Sequence, residues 1–266
     1  MLSKPAIQLI RSLQKKKFRM QHGLFMVEGE KMVKELIRAN RSYWSVHRLL
    51  ASAEWAERNK EACRAAGLKA EIIETGEMRK ISALVSPPGV LALVGIPEYA
   101  MEAATLKNEA LLAFSEISDP GNLGTIIRTA DWFGIRHLVC TPGSTDAWSP
   151  KVVQASMGAI FRVKLYYMEL DQILKQCEKD GRAVYGTYLQ GENLFETPLE
   201  RAPLILFGSE SHGLDQALSN RLNGRITIPS YAGMEGGSES LNIASAVAIV
   251  SAELARQTKA PIRSES

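Results

Sequence analysis

The sequence predicts an α/β protein of two regions: a small α/β region, then a larger one built on a mostly parallel sheet. Three observations point there. The 266 residues suffice for one large or two ordinary domains. Hydrophobic residues make up 45% of the chain, ample for packed cores. From about residue 108 onward, strand-like and helix-like segments alternate, the pattern of a parallel sheet with flanking helices.

The first region, residues 1–97, carries a helical stretch EKMVKELIRAN (30–40), the apolar run VHRLLAS (46–52) and a helical EWAERNKEACRAAG (54–67). Strand-like AEII (70–73) follows, and GVLALVGIP (89–97) closes the region as a buried strand ended by proline. Residues 98–107 read as a linker. The second region, 108–258, opens with the strand LLAFSEI (111–117) and the helix DPGNLGTIIRTADWFG (119–134), whose Leu123, Ile126, Ile127, Ala130 and Phe133 recur at helical spacing. HLVC (137–140) is a strand, VVQASMGAIF (152–161) a helix and RVKLYY (162–167) a strand. LDQILKQCEKDG (170–181) is a helix stopped by glycine. AVYGTYL, LILFGSE and RITIPS are strands. The last helix, SLNIASAVAIVSAELARQ (240–257), is apolar nearly all round for three turns, which predicts burial or a shared interface. Residues 259–266 read as a frayed tail.

Composition narrows the function classes. A net charge of +3, from 32 basic and 29 acidic residues, names no partner. Its distribution says more: Lys4, Arg11, Lys15, Lys16, Lys17 and Arg19 all precede the first acidic residue, Glu28. Such a basic arm either meets phosphate or is a solvated helix face. Cys63, Cys140 and Cys177 are odd in number and widely spaced, which indicates neither a disulfide framework nor a zinc site and fits a reducing cytoplasm. No run of about 18 apolar residues or apolar leader occurs, so a soluble cytoplasmic protein without membrane contact is expected. GxGxxG, GxxxxGK[ST] and HExxH are absent, and His22, His47, His137 and His212 show no metal-ligand spacing. No metal is expected.

In parallel sheets, ligands bind beyond the carboxyl ends of the strands. Three polar, glycine-bearing segments fall there: SDPGNLG (118–124), GSESHGL (208–214) and IPSYAGMEGGSESLN (228–242). Within the first, Asn122 heads a helix, a position suited to capping or to holding a ligand. At about 100° per residue, Arg128 falls roughly 160° from the centre of that helix's apolar stripe. An arginine so placed either pairs with a surface carboxylate or reaches for something outside the protein. Trp132 lies about 40° from it on the same outer face.

These three segments, in this order, resemble the motifs of the SpoU/TrmH family of RNA ribose 2′-O-methyltransferases, within the SPOUT superfamily of knotted methyltransferases. KVVQASMGAIFRV between the first two is also similar to the family pattern, and FMVEGEKMVKELIRAN and SPPGVLALV resemble the small ribosomal-protein-like substrate-binding domain attached in many members. The resemblance spans nearly the whole chain. It implies S-adenosyl-L-methionine as cofactor, RNA as substrate, a knotted methyltransferase domain and a homodimer formed through that domain. It casts Asn122, Arg128, Glu210, Ser240 and Asn242 as catalytic and Gly208, Ile228 and Leu241 as backbone contacts to the adenosyl group, while the basic arm makes Lys15, Lys16, Lys17 and Arg19 the expected RNA contacts. The accessory domain favours ribosomal over transfer RNA.

Arg128 is a bidentate clamp on phosphate or a base; the clamp is the physically easy role, since a guanidinium pKa exceeds about 12. One departure stands out: Pro229 and Glu239 are ten residues apart, where the family usually has about six, and Ser230 replaces a common methionine. Two rivals follow: an RNA-binding module of the same fold without catalysis, and a methyltransferase for base nitrogen or protein.

Overall fold

In chain order the elements are α1 (Lys4–Ser12), α2 (Lys16–His22), β1 (Leu24–Glu28), α3 (Glu30–Arg38), β2 (Val46–Ala51), α4 (Ala53–Arg58), α5 (Lys60–Ala65), β3 (Ala70–Ile72), α6 (Thr75–Ile81) and β4 (Val90–Gly95). There follow β5 (Leu111–Phe114), α7 (Pro120–Trp132), β6 (His137–Cys140), α8 (Pro150–Ala155), β7 (Lys164–Tyr167), α9 (Leu170–Asp180), β8 (Val184–Asn193), β9 (Leu204–Phe207), β10 (Gly224–Thr227) and α10 (Ile243–Thr258). This is a computed structural model, and it describes residues 1–39, 44–101, 108–210, 212–232 and 239–258. The tail at 259–266, most of the linker (102–107) and residues 233–238 of the lengthened third segment lie outside the described residues. The chain divides into two compact units: Met1–Glu98 with Asp146–Arg162, and Tyr99–Thr145 with Val163–Ser266.

The first unit carries a four-stranded sheet in the order β1-β4-β2-β3, with β4 antiparallel to β1 and β2, and β2 parallel to β3. Two helices without a long apolar repeat open it. Ser3 caps α1 by accepting from the Ala6 N–H, and Gly23, at φ 61, ends α2 in the left-handed region that favours glycine. Ile10 and Leu13 from the α1 end, with Met78 and Ile81 of α6, close over Met26, Leu50, Leu91 and Leu93 of the sheet. The helix predicted over 54–67 is two helices, because Asn59 leaves helical geometry (φ −113, ψ 14) and donates Nδ2 to the Trp55 carbonyl at 2.8 Å.

The segment predicted as one helix at 152–161, within the second region, also differs. It forms α8 and a 3₁₀ turn at Ala159–Phe161, and it packs in the first unit. Trp148 and Phe161 join Phe25 and Trp44 there: ring centroids lie 4.9 Å apart for Phe25–Trp148 and 5.1 Å for Trp44–Phe161. The Trp44 Nε1–H donates to the Phe161 carbonyl at 3.2 Å, and Gln154 Nε2 donates to the Glu28 carbonyl at 2.8 Å. Burying one such ring contributes roughly 1.5–3 kcal/mol, so a segment with two of them is held firmly. Gly158 is required twice over: its φ is +93, and an added Cβ would lie 2.6 Å from Glu35 Cγ.

The second unit is a six-stranded, wholly parallel sheet in the order β10-β8-β9-β5-β6-β7. Its central strands LLAF, HLVC and LILF are buried at every position, as a sheet covered on both faces demands. α7 and α10 pack against each other. All six strands point the same way, so their carboxyl ends share one edge, where Phe114 and Phe207 stack at 5.3 Å. Between β8 and β10 the register shifts: Arg225 pairs with Gly186 but Ile226 pairs with Glu192, and residues 187–191 leave the ladder. Gly191 permits the close return, since a Cβ there would lie 2.6 Å from the Arg225 carbonyl oxygen.

Candidate active site

The site starts at the carboxyl end of β5. Asp119 is the N-cap of α7, its Oδ1 accepting from the Asn122 N–H at 2.7 Å, and Pro120 begins the helix. Asn122 is therefore not the cap, as its place in the sequence suggested, but lies inside the first turn. Its side chain is left free to reach outward. Asn122 Nδ2 donates to Glu210 Oε1 at 2.5 Å, and Asn122 Oδ1 accepts from Asn242 Nδ2 at 3.1 Å. Asn242 in turn accepts from the Ala244 N–H through Oδ1 at 2.9 Å, which makes it the cap of α10. That helix begins at Ile243, not at 240, so Ser240 is not its cap but an exposed residue of the loop before it.

Three loops far apart in sequence thus meet in one hydrogen-bonded array, with Asn122 central, Glu210 on one side and Asn242 on the other. Glu210 sits in a tight turn after β9, closed by Ser209 and Gly213, which exchange backbone hydrogen bonds at 3.0 and 2.9 Å. Gly208 is glycine because of that turn: an added Cβ would lie 2.1 Å from the Gly213 carbonyl carbon and 2.3 Å from the Leu214 nitrogen. The close approach it permits is that of its own loop.

Arg128 is exposed and forms no ion pair among the described residues. It lies six residues beyond Asn122, about 9 Å along the helix axis and about 120° around it. Trp132, one turn further on, is 85% exposed. The outer face of α7 therefore displays a free guanidinium beside an uncovered indole. Leu189, midway along β8, is 74% exposed, Leu241 in the loop before α10 is 50% exposed, and Ile228, just past β10, is half-buried. Leu241 is no core residue. Leu189, in a stretch that reads as a plain strand, is a candidate wall that the sequence did not single out; its carbonyl accepts from Thr227 Oγ1 at 3.1 Å, which fixes the 187–191 excursion to β10. Exposed apolar side chains such as Leu189 and Leu241 are of the type that packs against a flat aromatic group such as an adenosyl ring.

Other reactive groups are withdrawn from chemistry. Burial pushes the Cys140 thiol up to about 12 and the Cys177 thiol to about 11, well away from thiolate reactivity. Among the described residues no group of three or more His, Cys, Asp or Glu is arranged to hold a metal ion.

Of the basic arm, Lys15, Lys16 and Lys17 are exposed. Arg19 is a correction. It is 3% exposed, with Nε and Nη2 on Asp146 Oδ2 at 2.9 and 2.5 Å and Nη1 on the Leu13 carbonyl at 2.7 Å. A guanidinium so committed has no face left for RNA.

Comparison with known proteins agrees with this geometry. The model of the SpoU rRNA Methylase family matches residues 109–252, and that of the MRM3-like substrate binding domain matches residues 4–92. The chain is 29% identical over 241 residues to the 23S rRNA (guanosine(2553)-2′-O)-methyltransferase RlmP of Bacillus subtilis, an alignment covering 90% of this chain and 92% of the relative. Among solved structures, a putative RNA methyltransferase of the TrmH family from Porphyromonas gingivalis superposes with a TM-score of 0.82 at 34% identity, covering 97% of this chain and 100% of that one. An AdoMet-bound rRNA methyltransferase from Sinorhizobium meliloti superposes with a TM-score of 0.82 at 27% identity, covering 96% of each chain. The three-loop array on its parallel sheet and the matched family model together make this chain a member of the SpoU rRNA methylase family.

Proposed function

We propose that the protein transfers a methyl group from S-adenosyl-L-methionine to a ribose 2′-hydroxyl of ribosomal RNA. The observation that carries this reading is the array in which Asn122 joins Glu210 to Asn242. The cofactor supplies an already activated methyl group on a sulfonium, so what remains for the protein is alignment and a destination for the hydroxyl proton. Leu189, Ile228 and Leu241 offer apolar walls for the adenosyl group, and the 208–214 turn, shaped by Gly208, offers backbone polar atoms.

Arg128 clamps the phosphate next to the target ribose, a task its planar fork suits. The array receives the ribose hydroxyl, with Ser240 beside it in the loop before α10. Glu210 is the array's anionic oxygen and so the first acceptor of the proton as the oxygen–carbon bond forms. RNA rather than DNA follows from the hydroxyl itself.

A homodimer through the second unit belongs to the same reading, as do the superfamily's knot and a cytoplasmic place of work. Support for the dimer is the outer face of α7: an 85% exposed Trp132 suits burial at an interface, and Arg128 is set well along the helix from its own chain's array. Arg128 then serves the partner's array. Mixing inactive Arg128→Ala and inactive Glu210→Gln subunits should restore turnover, because one composite site per heterodimer is intact; no recovery after subunit exchange would place Arg128 in its own chain's site.

The test of the activity is transfer of labelled methyl from S-adenosylmethionine to rRNA transcripts. Label should appear in 2′-O-methylnucleosides and disappear when the target nucleotide is 2′-deoxy. Label on a base, or on protein, would overturn the proposal.

A further inference from the structure

We infer that Arg19 and Asp146 are positioning residues for RNA: their buried ion pair fixes the corner between α1 and α2, so that Lys15, Lys16 and Lys17 form a preset rail for a phosphate backbone. The inference rests on the RNA-directed function proposed above and adds to it the device that shapes the contact.

The corner is tied at both ends. The Arg19 guanidinium, at the far end, returns to the near end by donating Nη1 to the Leu13 carbonyl at 2.7 Å. Its other two donors hold Asp146 Oδ2, and the remaining Asp146 oxygen accepts from the Trp148 N–H at 3.0 Å. Both side chains are more than nine-tenths buried, at 3% and 8% exposure. Within the corner, the Lys15 N–H donates to the Ser12 carbonyl at 2.9 Å and the Arg19 N–H to the Lys15 carbonyl at 3.2 Å. Leu13 itself is fully buried. The backbone from 13 to 19 is thus a closed, hydrogen-bonded turn rather than a trailing arm, and it presents Gln14 and the three lysines outward, so every charge it exposes is positive.

Charge selects the partner. No acidic residue precedes Glu28, and Asp146 neutralises Arg19, so the outward charge of the corner is that of its lysines. Three compact cations on a fixed turn suit a run of phosphates, contacted without regard to base sequence. Fixing the turn before binding removes ordering that would otherwise oppose association. A buried pair is also a costly way to secure only stability, since apolar residues of similar volume often do as well; geometry is what the pair adds, through the one donor aimed at Leu13.

The experiment titrates full-length protein with a 23S rRNA transcript at several salt concentrations. Four proteins are compared: wild type, Lys15→Gln/Lys16→Gln/Lys17→Gln, Arg19→Met alone, and Arg19→Met/Asp146→Leu. The last leaves no unpaired buried charge, so it stays folded where the single variant does not; circular dichroism and melting verify this. Loss of three phosphate contacts should lower the slope of log affinity against log salt by about 2–3. The folded Arg19→Met/Asp146→Leu protein keeps all three lysines, yet its slope should fall by about 1 or more and its affinity by about tenfold. Cofactor affinity stays at the wild-type value. An unchanged slope in that variant, alongside a lowered slope in the triple-lysine variant, overturns the anchor. An unchanged slope in the triple-lysine variant overturns the rail. Methyl transfer measured in parallel is separate: its absence from the wild type sinks the enzymatic proposal and leaves the slopes to decide this one.

Discussion

Arg19 in α2 and Arg128 in α7 look alike in the sequence, each a basic residue on a helix with apolar neighbours, yet the fold uses them in opposite ways. Arg19 is buried, with three hydrogen bonds that tie its own unit together. Arg128 is exposed and unpaired among the described residues. A charge taken out of water must be matched on every side, and Arg19 is. A charge left in water without an ion-pair partner among the described residues is available to a ligand, and Arg128 is. Cation type and helical position do not separate a buried, paired arginine from an exposed, unpaired one; the partner does, and that of Arg19 lies 127 residues away.

The contrast can be broken at either end. The largest effect is expected at Arg128→Ala: turnover should fall by at least about 100-fold, within the range that alignment and proton transfer supply, while calorimetric cofactor affinity and melting temperature stay near wild type. Loss of cofactor binding would remove Arg128 from the phosphate role. Arg19→Ala should behave in reverse. It leaves Asp146 buried without its partner, which costs about 3–5 kcal/mol, so urea or thermal melting of the first unit should show a large loss. Stability at the wild-type level would mean that the pair is dispensable.

Smaller effects sharpen the picture of the array. Asn122→Ala removes a hydrogen bond to the Glu210 carboxylate, a class worth about 1.5–3 kcal/mol. The array is partly exposed, so the low end applies, and kcat/KM should drop about tenfold with little change in stability. A larger drop would give the amide a direct part in holding substrate.

The smallest effect belongs to His137, buried at the start of β6, with Nδ1 3.0 Å from the Tyr166 hydroxyl and Nε2 3.3 Å from a Glu109 carboxylate oxygen. Burial lowers its pKa below the usual 6.5, against the opposing pull of Glu109. The unfolded chain therefore takes up the proton first as pH falls, and stability should decline below about pH 6.5 until the folded form titrates too. Melting temperature against pH should show that decline, and His137→Gln should flatten it.

Much of the second unit was legible, because its determinants are local. HLVC forms a strand at the residues its pattern marks, and the helix at 170–181 ends at Gly181 in the left-handed conformation that glycine permits. The three ligand-side segments could be placed at strand ends because parallel strands put them there. The first unit was harder. α1 and α6 are short, and they owe their stability to packing over the sheet rather than to a long apolar repeat. The 146–162 segment reads as part of the second region along the chain and packs with the first through Trp148 and Phe161, a contact that no local pattern carries. At the site, residue types were readable and roles less so. Asp119 and Asn122 are both good caps, and only the hydrogen bonds show that Asp119 caps while Asn122 is left to join Glu210.

The measurement that bears most directly on the central claim is a map of ribose methylation across ribosomal RNA in cells with and without the gene, each complemented by wild type or Arg128→Ala. One 2′-O-methyl mark should vanish without the gene, return with the wild type and stay absent with the variant. An unchanged map, or full restoration by Arg128→Ala, would contradict the account.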